Sequence, residues 1–311
     1  MNTRITRRHS LKFIGATLAA MMLPSASLFA SNGGLRHKAY AGTDRTLPVI
    51  GMGTWRTFNV GNDPKLLNAR AEVVKAFFEL GGQLIDSSPM YGSASETIGH
   101  ALQQLGTPNN LFAAEKVWSP AGGSTREQVA TQQAHWTVEQ LDLVQVHNLA
   151  DWREHLAVLR ELKAEGKIRH VGITTSHGRR HSEMEQIMSS EDIDFVQLTY
   201  NITHREAEDR LLPLAQERNI GVIANRPYDG GGLIKRLKRR DEPLPEWARA
   251  ECGCFTWADF LLKFIVSHPA MTCAIPATTQ VAHMRENMRA GHDPMPSPDA
   301  RKRMAAYIES L

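Results

Sequence analysis

Short apolar runs alternate with longer segments of helical period along most of this chain. The runs fall at 48–50, 84–85, 111–114, 143–146, 170–174, 195–198, 221–224 and 272–275. Between them, stretches such as 66–80, 151–165, 205–218 and 257–267 carry apolar residues at the spacing of one helix face. Strands that alternate with helices pair in parallel, because each crossover returns the chain to the same end of the sheet. About eight such units in roughly 270 residues match a (β/α)8 TIM barrel in number and length. A doubly wound sheet is the rival; it carries a glycine-rich turn after its first strand, and Gly51-Met52-Gly53 lacks the third glycine. No long polar linker, low-complexity tract or repeat interrupts the pattern, so 35–311 reads as one domain. After the seventh strand, 229–246 reads as a long loop with a short helix. It opens on Gly230-Gly231-Gly232 and carries Lys235, Arg236, Lys238, Arg239 and Arg240.

The first thirty residues stand apart. They hold Arg4, Arg7, Arg8 and Lys12 and no acid, then an apolar run over 13–23, then Pro24 and small residues. That is the layout of an export signal. Thr6-Arg7-Arg8-His9-Ser10-Leu11-Lys12 resembles the twin-arginine motif. The apolar run is about half the ~20 residues a membrane span needs, so no stable insertion is expected. Residues 1–30 are therefore expected to be a signal peptide, cleaved near Ala30 or after Ser27. Delivery through the twin-arginine machinery to the periplasm, or otherwise outside the cytoplasm, follows. Such cargo generally crosses folded, so a cofactor can be loaded first. Subtracting those four cations from the formal net charge of +3 leaves the body at about −1. No charge argument for nucleic acid or anionic lipid survives. Three cysteines, Cys252, Cys254 and Cys273, leave an odd thiol and no disulfide framework. Cys252 and Cys254 read as a loop open to a surface disulfide. His177 and His181 lack a third ligand, so no metal is expected.

Four ionisable residues sit at or just beyond the ends of apolar runs: Asp86, Tyr91, Lys116 and His147. Singly, each has an ordinary explanation as a turn former, a packing ring, a solubility charge or a core histidine. Jointly, four such groups at neighbouring strand ends are costly to bury without a purpose. Barrel strand ends share one mouth. There a lysine would lower the tyrosine's pKa by stabilising the phenolate. An aspartate would keep the lysine charged, and a histidine would orient a substrate oxygen. Such a set delivers a proton to a carbonyl oxygen while a cofactor supplies hydride.

The motifs then resemble the aldo-keto reductase family. They are Gly51-Met52-Gly53-Thr54-Trp55, Asp86 through Tyr91-Gly92 with Glu96, Glu115-Lys116-Val117-Trp118, Asp142 through His147, Val171-Gly172-Ile173-Thr174, Val196 through Asn201, and Ile275-Pro276-Ala277-Thr278 with Glu286-Asn287. Order and spacing hold from about residue 45 to 290. The resemblance implies a (β/α)8 barrel that reduces carbonyls with NADPH, NADH being the alternative. It implies Asp86, Tyr91, Lys116 and His147 as the catalytic tetrad, with Tyr91 as general acid. Trp55, Trp118 and His147 would line the substrate cavity. Gly53, Thr54, Asp86, Thr174, Thr175, Gln197, Asn225, Arg226, Pro227, Gly231, Pro276, Thr278, Glu286 and Asn287 would hold the cofactor. A monomer is the family expectation.

Four positions depart from the family pattern. Thr175 stands where an asparagine usually holds the nicotinamide amide, and Asn225 where an aromatic ring often stacks on it. Ala277 and His283 replace the lysine and arginine that many relatives use for the adenosine 2′-phosphate; Arg285 or the 235–240 stretch could compensate. The leading expectation is an exported carbonyl reductase. Its rival is a cofactor-binding sensor or interaction module with slow or no turnover.

Overall fold

Eight parallel strands close into a barrel in the computed structural model, which describes residues 34–311. The export segment expected over 1–30 lies outside the described residues. An antiparallel hairpin, β1 (His37–Ala39) and β2 (Thr46–Pro48), precedes the barrel. The barrel strands are β3 (Met52–Gly53), β4 (Leu84–Asp86), β5 (Phe112–Val117), β6 (Leu141–His147), β7 (Ile168–Thr174), β8 (Phe195–Thr199), β9 (Gly221–Asn225) and β10 (Cys273–Ala274). Each pairs in parallel with the next. The seam between first and last strands is held by parallel bridges Ile50–Ala274 and Gly53–Ala277. There Gly51 N–H donates to the Ala274 carbonyl at 2.9 Å and Gly53 N–H to the Pro276 carbonyl at 3.1 Å.

The helices are α1 (Pro64–Glu79), α2 (Ala94–Leu105), α3 (Thr125–Trp136), α4 (Trp152–Ala164), α5 (His181–Ser190), α6 (Leu211–Glu217), α7 (Gly232–Arg239), α8 (Glu246–Cys252), α9 (Trp257–Val266), α10 (Val281–Arg289) and α11 (Pro298–Glu309). Their starts follow local chemistry. Asp63 accepts from the backbone of Lys65 and Leu66, with Pro64 at the first turn of α1. Ser124 with Glu127 and Thr256 with Asp259 form reciprocal capping boxes on α3 and α9.

Strand alternation divides the core in two. Leu84, Phe112, Ala114, Leu143, Phe195 and Ile223 face the barrel interior, while Ile85, Ala113, Val144, Val196 and Val222 pack under the helices. The hairpin closes the floor. Tyr40 sits 5.7 Å from Phe112, 5.2 Å from Phe195 and 5.5 Å from His170, ring centroid to centroid. The hairpin also corrects the expected first strand over 48–50. Pro48 ends β2, Ile50 makes one bridge, and the barrel strand begins at Met52. The chain must cross the floor, burying Leu47 beside Tyr40, before it can enter the wall.

One further expectation changes. Cys252 and Cys254 are buried free thiols, as is Cys273, so no surface disulfide forms. Burial pushes the Cys254 thiol up to about 12, which makes it inert. Among the described residues no helix is long and apolar enough to cross a membrane, and no cluster of metal-ligating side chains occurs.

Candidate active site

The alternation that sends Leu84, Phe112 and Leu143 into the barrel sends Asp86, Lys116 and Gln145 to the same interior, nearer the C-terminal mouth. Lys116 Nζ donates to both Asp86 carboxylate oxygens at 2.7 Å and to the Ser87 carbonyl at 2.6 Å. Both side chains are sealed from water, at 0% and 2% exposure. The carboxylate also accepts from Gln197 Nε2 at 2.7 Å and Gln145 Nε2 at 3.3 Å. Every hydrogen of the ammonium is used, and the charge pair is fully hydrogen-bonded, which its burial requires.

Tyr91 arrives from the loop after β4. Ser88 caps a single 3-10 turn, Pro89–Tyr91, that swings the ring over the pair. Lys116 Nζ is 5.2 Å from the Tyr91 ring centroid, and the His147 ring meets Tyr91 edge-on at 5.9 Å and 90°. The structure reverses one expectation here. Burial, with the negative charges of Asp86 and Glu115, raises the Tyr91 phenol well above its ordinary value. The Lys116 ammonium, paired with Asp86, does not offset that rise. Tyr91 is thus a reservoir of a held proton. Burial and the Lys116 ammonium press His147 down to about 3, so its imidazole is neutral. His147 Nδ1 lies 2.8 Å from Ser88 Oγ.

A cavity of about 310 Å³ opens over this group. Its wall includes Gly53, Thr54, Trp55, Asp86, Tyr91, His147, Thr174, Gln197, Asn225, Arg226, Pro227 and Gly231, all expected there. A second cavity of about 450 Å³ carries Thr278, Glu286 and Asn287. Both share Tyr228 and Ala277 as a wall. Two linked chambers, one at the proton donors and one at the far end, fit an elongated two-ended molecule. The amide and hydroxyl groups of Thr174, Gln197 and Asn225 suit the amide head of a nicotinamide. The Thr175 hydroxyl is buried with no partner among the described residues.

Four expected residues are not on either wall: Lys116 lies beneath the first cavity, paired with Asp86, and the other three make contacts elsewhere. Trp118 packs against His147 at 6.3 Å and influences the cavity only through that ring. Pro276 spends its carbonyl on the barrel seam. Thr175 faces neither chamber, and its carbonyl accepts from Asn225 Nδ2 at 2.8 Å.

The sequence reading missed several groups. Gln145 stands two residues before His147, so period-two alternation alone would have found it. Ser88 and Met90 lay inside the quoted motif without roles. Arg56 lies over the Trp55 ring at 4.3 Å, with the expected Arg226 at 5.7 Å. Glu115, behind the barrel wall, accepts from Ser95 Oγ at 2.5 Å and Trp136 Nε1 at 2.9 Å; burial raises it to about 7.

The model of the aldo/keto reductase family matches residues 49–306. The chain belongs to this family. Methylglyoxal reductase YeaE of Escherichia coli (strain K12) is 28% identical over 250 residues, 78% of this chain and 85% of that protein. The NADH-specific methylglyoxal reductase of the same organism is 28% identical over 246 residues, 67% of this chain and 71% of its own length. Among solved structures, an aldo/keto reductase from Klebsiella pneumoniae in complex with NADP and acetate superposes with a TM-score of 0.72 at 24% identity. That match covers 85% of this chain and 92% of that one, and shows the shared fold.

As an aldo-keto reductase, the chain is an oxidoreductase. Asn225, in place of a stacking ring, accepts from Thr199 Oγ1 at 2.7 Å and ties β8 to β9. Tyr228, next in that loop, donates to Asn287 Oδ1 at 2.6 Å. Gly230 and Gly231 adopt φ of 63° and 86°, open to glycine at no steric cost. Arg285 pairs with Glu79 at 3.6 Å, whereas Lys238 and His283 line the second cavity.

Proposed function

We propose that this protein reduces small aldehydes or ketones to alcohols with NADPH, NADH being the alternative. The observation that carries the reading is the convergence of Tyr91, His147 and the Lys116–Asp86 pair at one cavity. When bound, a nicotinamide cofactor supplies the hydride. Thr174, Gln197 and Asn225 would hold its amide head, and Thr278, Glu286 and Asn287 its adenosine end.

The chain's own residues do the rest. His147 hydrogen-bonds the carbonyl oxygen and turns its carbon toward the nicotinamide chamber. As the carbon is reduced, the carbonyl π pair moves onto oxygen, and Tyr91 donates its proton there. The phenolate left behind lies beside the Lys116–Asp86 pair, with Lys116 Nζ 5.2 Å from its ring centroid, until solvent entering through the cavity returns a proton. Asp86 supplies the counter-charge that buried Lys116 requires. Asp86 and Lys116 are buried below the cavity, where low polarity strengthens their contact.

Two of the relatives reduce methylglyoxal, a small dicarbonyl, and a cavity of about 310 Å³ suits a compact substrate beside a nicotinamide ring. The test is oxidation of NADPH and NADH by the purified protein with methylglyoxal and a panel of aldehydes and ketones. Rapid multiple turnover supports the reading. Tight cofactor binding with no turnover on any of them favours the sensor or interaction module instead.

The site of action belongs to the same proposal. Arg7-Arg8 and the apolar run after them support export by the twin-arginine machinery, and a monomer is the working state. Cell fractionation should find the cleaved protein outside the cytoplasm and an Arg7→Lys/Arg8→Lys variant retained inside. Light scattering on the eluting protein tests the monomer.

A further inference from the structure

We infer that Ser88 is a positioning residue that fixes the tautomer of His147, holding its single proton on Nε2 toward the substrate carbonyl. The inference rests on the carbonyl-reductase reading above and adds a residue to it.

Hydrogen-bond accounting carries the step. Ser88 is fully buried. Its Oγ accepts the Met90 N–H at 3.2 Å, as the cap of the turn that carries Tyr91. It also lies 2.8 Å from His147 Nδ1. Among the described residues those are its two partners, and a buried hydroxyl must place its own proton on an acceptor. Nδ1 is the available acceptor, so it is bare and receives the Ser88 hydrogen. The ring is neutral, since burial and Lys116 hold its pKa at about 3. Its one proton then resides on Nε2. That nitrogen has no protein partner and is not sealed off, and His147 lines the cavity.

The other tautomer fails twice. It would bring two donors to Ser88 Oγ and leave the serine proton with no acceptor. It would also turn a bare Nε2 lone pair toward a carbonyl oxygen, so that two acceptors face each other. Ser88 therefore decides whether His147 attracts or repels the substrate. One hydroxyl at the top of β4 performs two linked tasks, because the turn it caps presents the acid, Tyr91, and the ring it holds presents the donor.

The test is the nitrogen-15 spectrum of the histidine rings in the full-length protein, with His147 assigned by its loss in His147→Gln. The expected result is a single Nε2–H tautomer for His147 that does not change between pH 5 and 8. In Ser88→Ala the ring should become a mixture of tautomers, and kcat should fall roughly three- to tenfold with the NADPH dissociation constant unchanged. Ser88→Thr, which keeps the hydroxyl, should restore both. A wild-type ring in the Nδ1–H form, or an unchanged tautomer in Ser88→Ala, overturns the inference. The spectrum needs no turnover, so a protein inactive on every carbonyl yet locked in the Nε2–H form would sink the functional reading while supporting this one.

Discussion

Lys116 Nζ stands 2.7 Å from both carboxylate oxygens of Asp86, and the pair is buried where β4 and β5 end. Neither charge has water to fall back on. Removing one partner leaves the other uncompensated, which costs about 3–5 kcal/mol. Lys116→Met should lower the unfolding free energy by that order in urea. Asp86→Asn/Lys116→Met should recover much of the loss, since no lone charge remains. Equal stability of Lys116→Met and the wild type would show that the pair is hydrated.

Glu115 predicts an opposite pH signature to His147. The Glu115 carboxyl is raised to about 7 in the folded protein, so between about 4.5 and 7 the unfolded chain has released a proton that the folded one retains. Its contribution is complete below 4.5 and is lost as pH rises to 7, at about 1.4 kcal/mol per pH unit. His147 is lowered to about 3, so the unfolded chain binds the extra proton below 6.5 and stability falls as pH drops. Over 4.5–6.5 the two slopes offset. Glu115→Gln removes one of them. Its stability relative to wild type should climb as pH rises from about 4.5 to 7, as read by denaturant titration at a series of pH values. A constant difference across that range would contradict the buried carboxyl.

Cofactor preference is expected to rest on Lys238. Ala277 and His283 leave the adenosine chamber without the two cations common in relatives, and Arg285 is engaged with Glu79. Lys238 of α7 lines that chamber. Lys238→Glu should weaken NADPH binding roughly tenfold and leave NADH binding nearly unchanged, since a hydrogen bond to a charged phosphate is lost. Fluorescence titration of both cofactors measures it. Equal losses for both would place Lys238 away from the 2′-phosphate.

The barrel was legible because period-two runs and helical stretches alternate without interruption. Strand ends followed too: Asp86, Lys116 and His147 fall at or near the ends of β4, β5 and β6, as their runs implied. The N-terminal hairpin was not legible, because 37–39 and 46–48 are too short and too mixed to show a period. Pairing across the barrel floor, not local pattern, makes them strands. The direction of the Tyr91 shift was misread for a similar reason. Sequence places a lysine near a tyrosine, but only the fold shows how deeply the phenol is buried and that Asp86 and Glu115 face it as well. Trp118 and Pro276 sit inside matching motifs, yet their contacts go to His147 and to the barrel seam.

The central claim is that Tyr91 supplies the proton. Tyr91→Phe keeps the ring that packs against His147 and removes only the hydroxyl. Cofactor binding and carbonyl reduction should be measured on the same purified variant. NADPH affinity should stay within about twofold of wild type while carbonyl turnover falls by about a hundredfold or more. Turnover at the wild-type rate would contradict the assignment and move the acid elsewhere in the cavity.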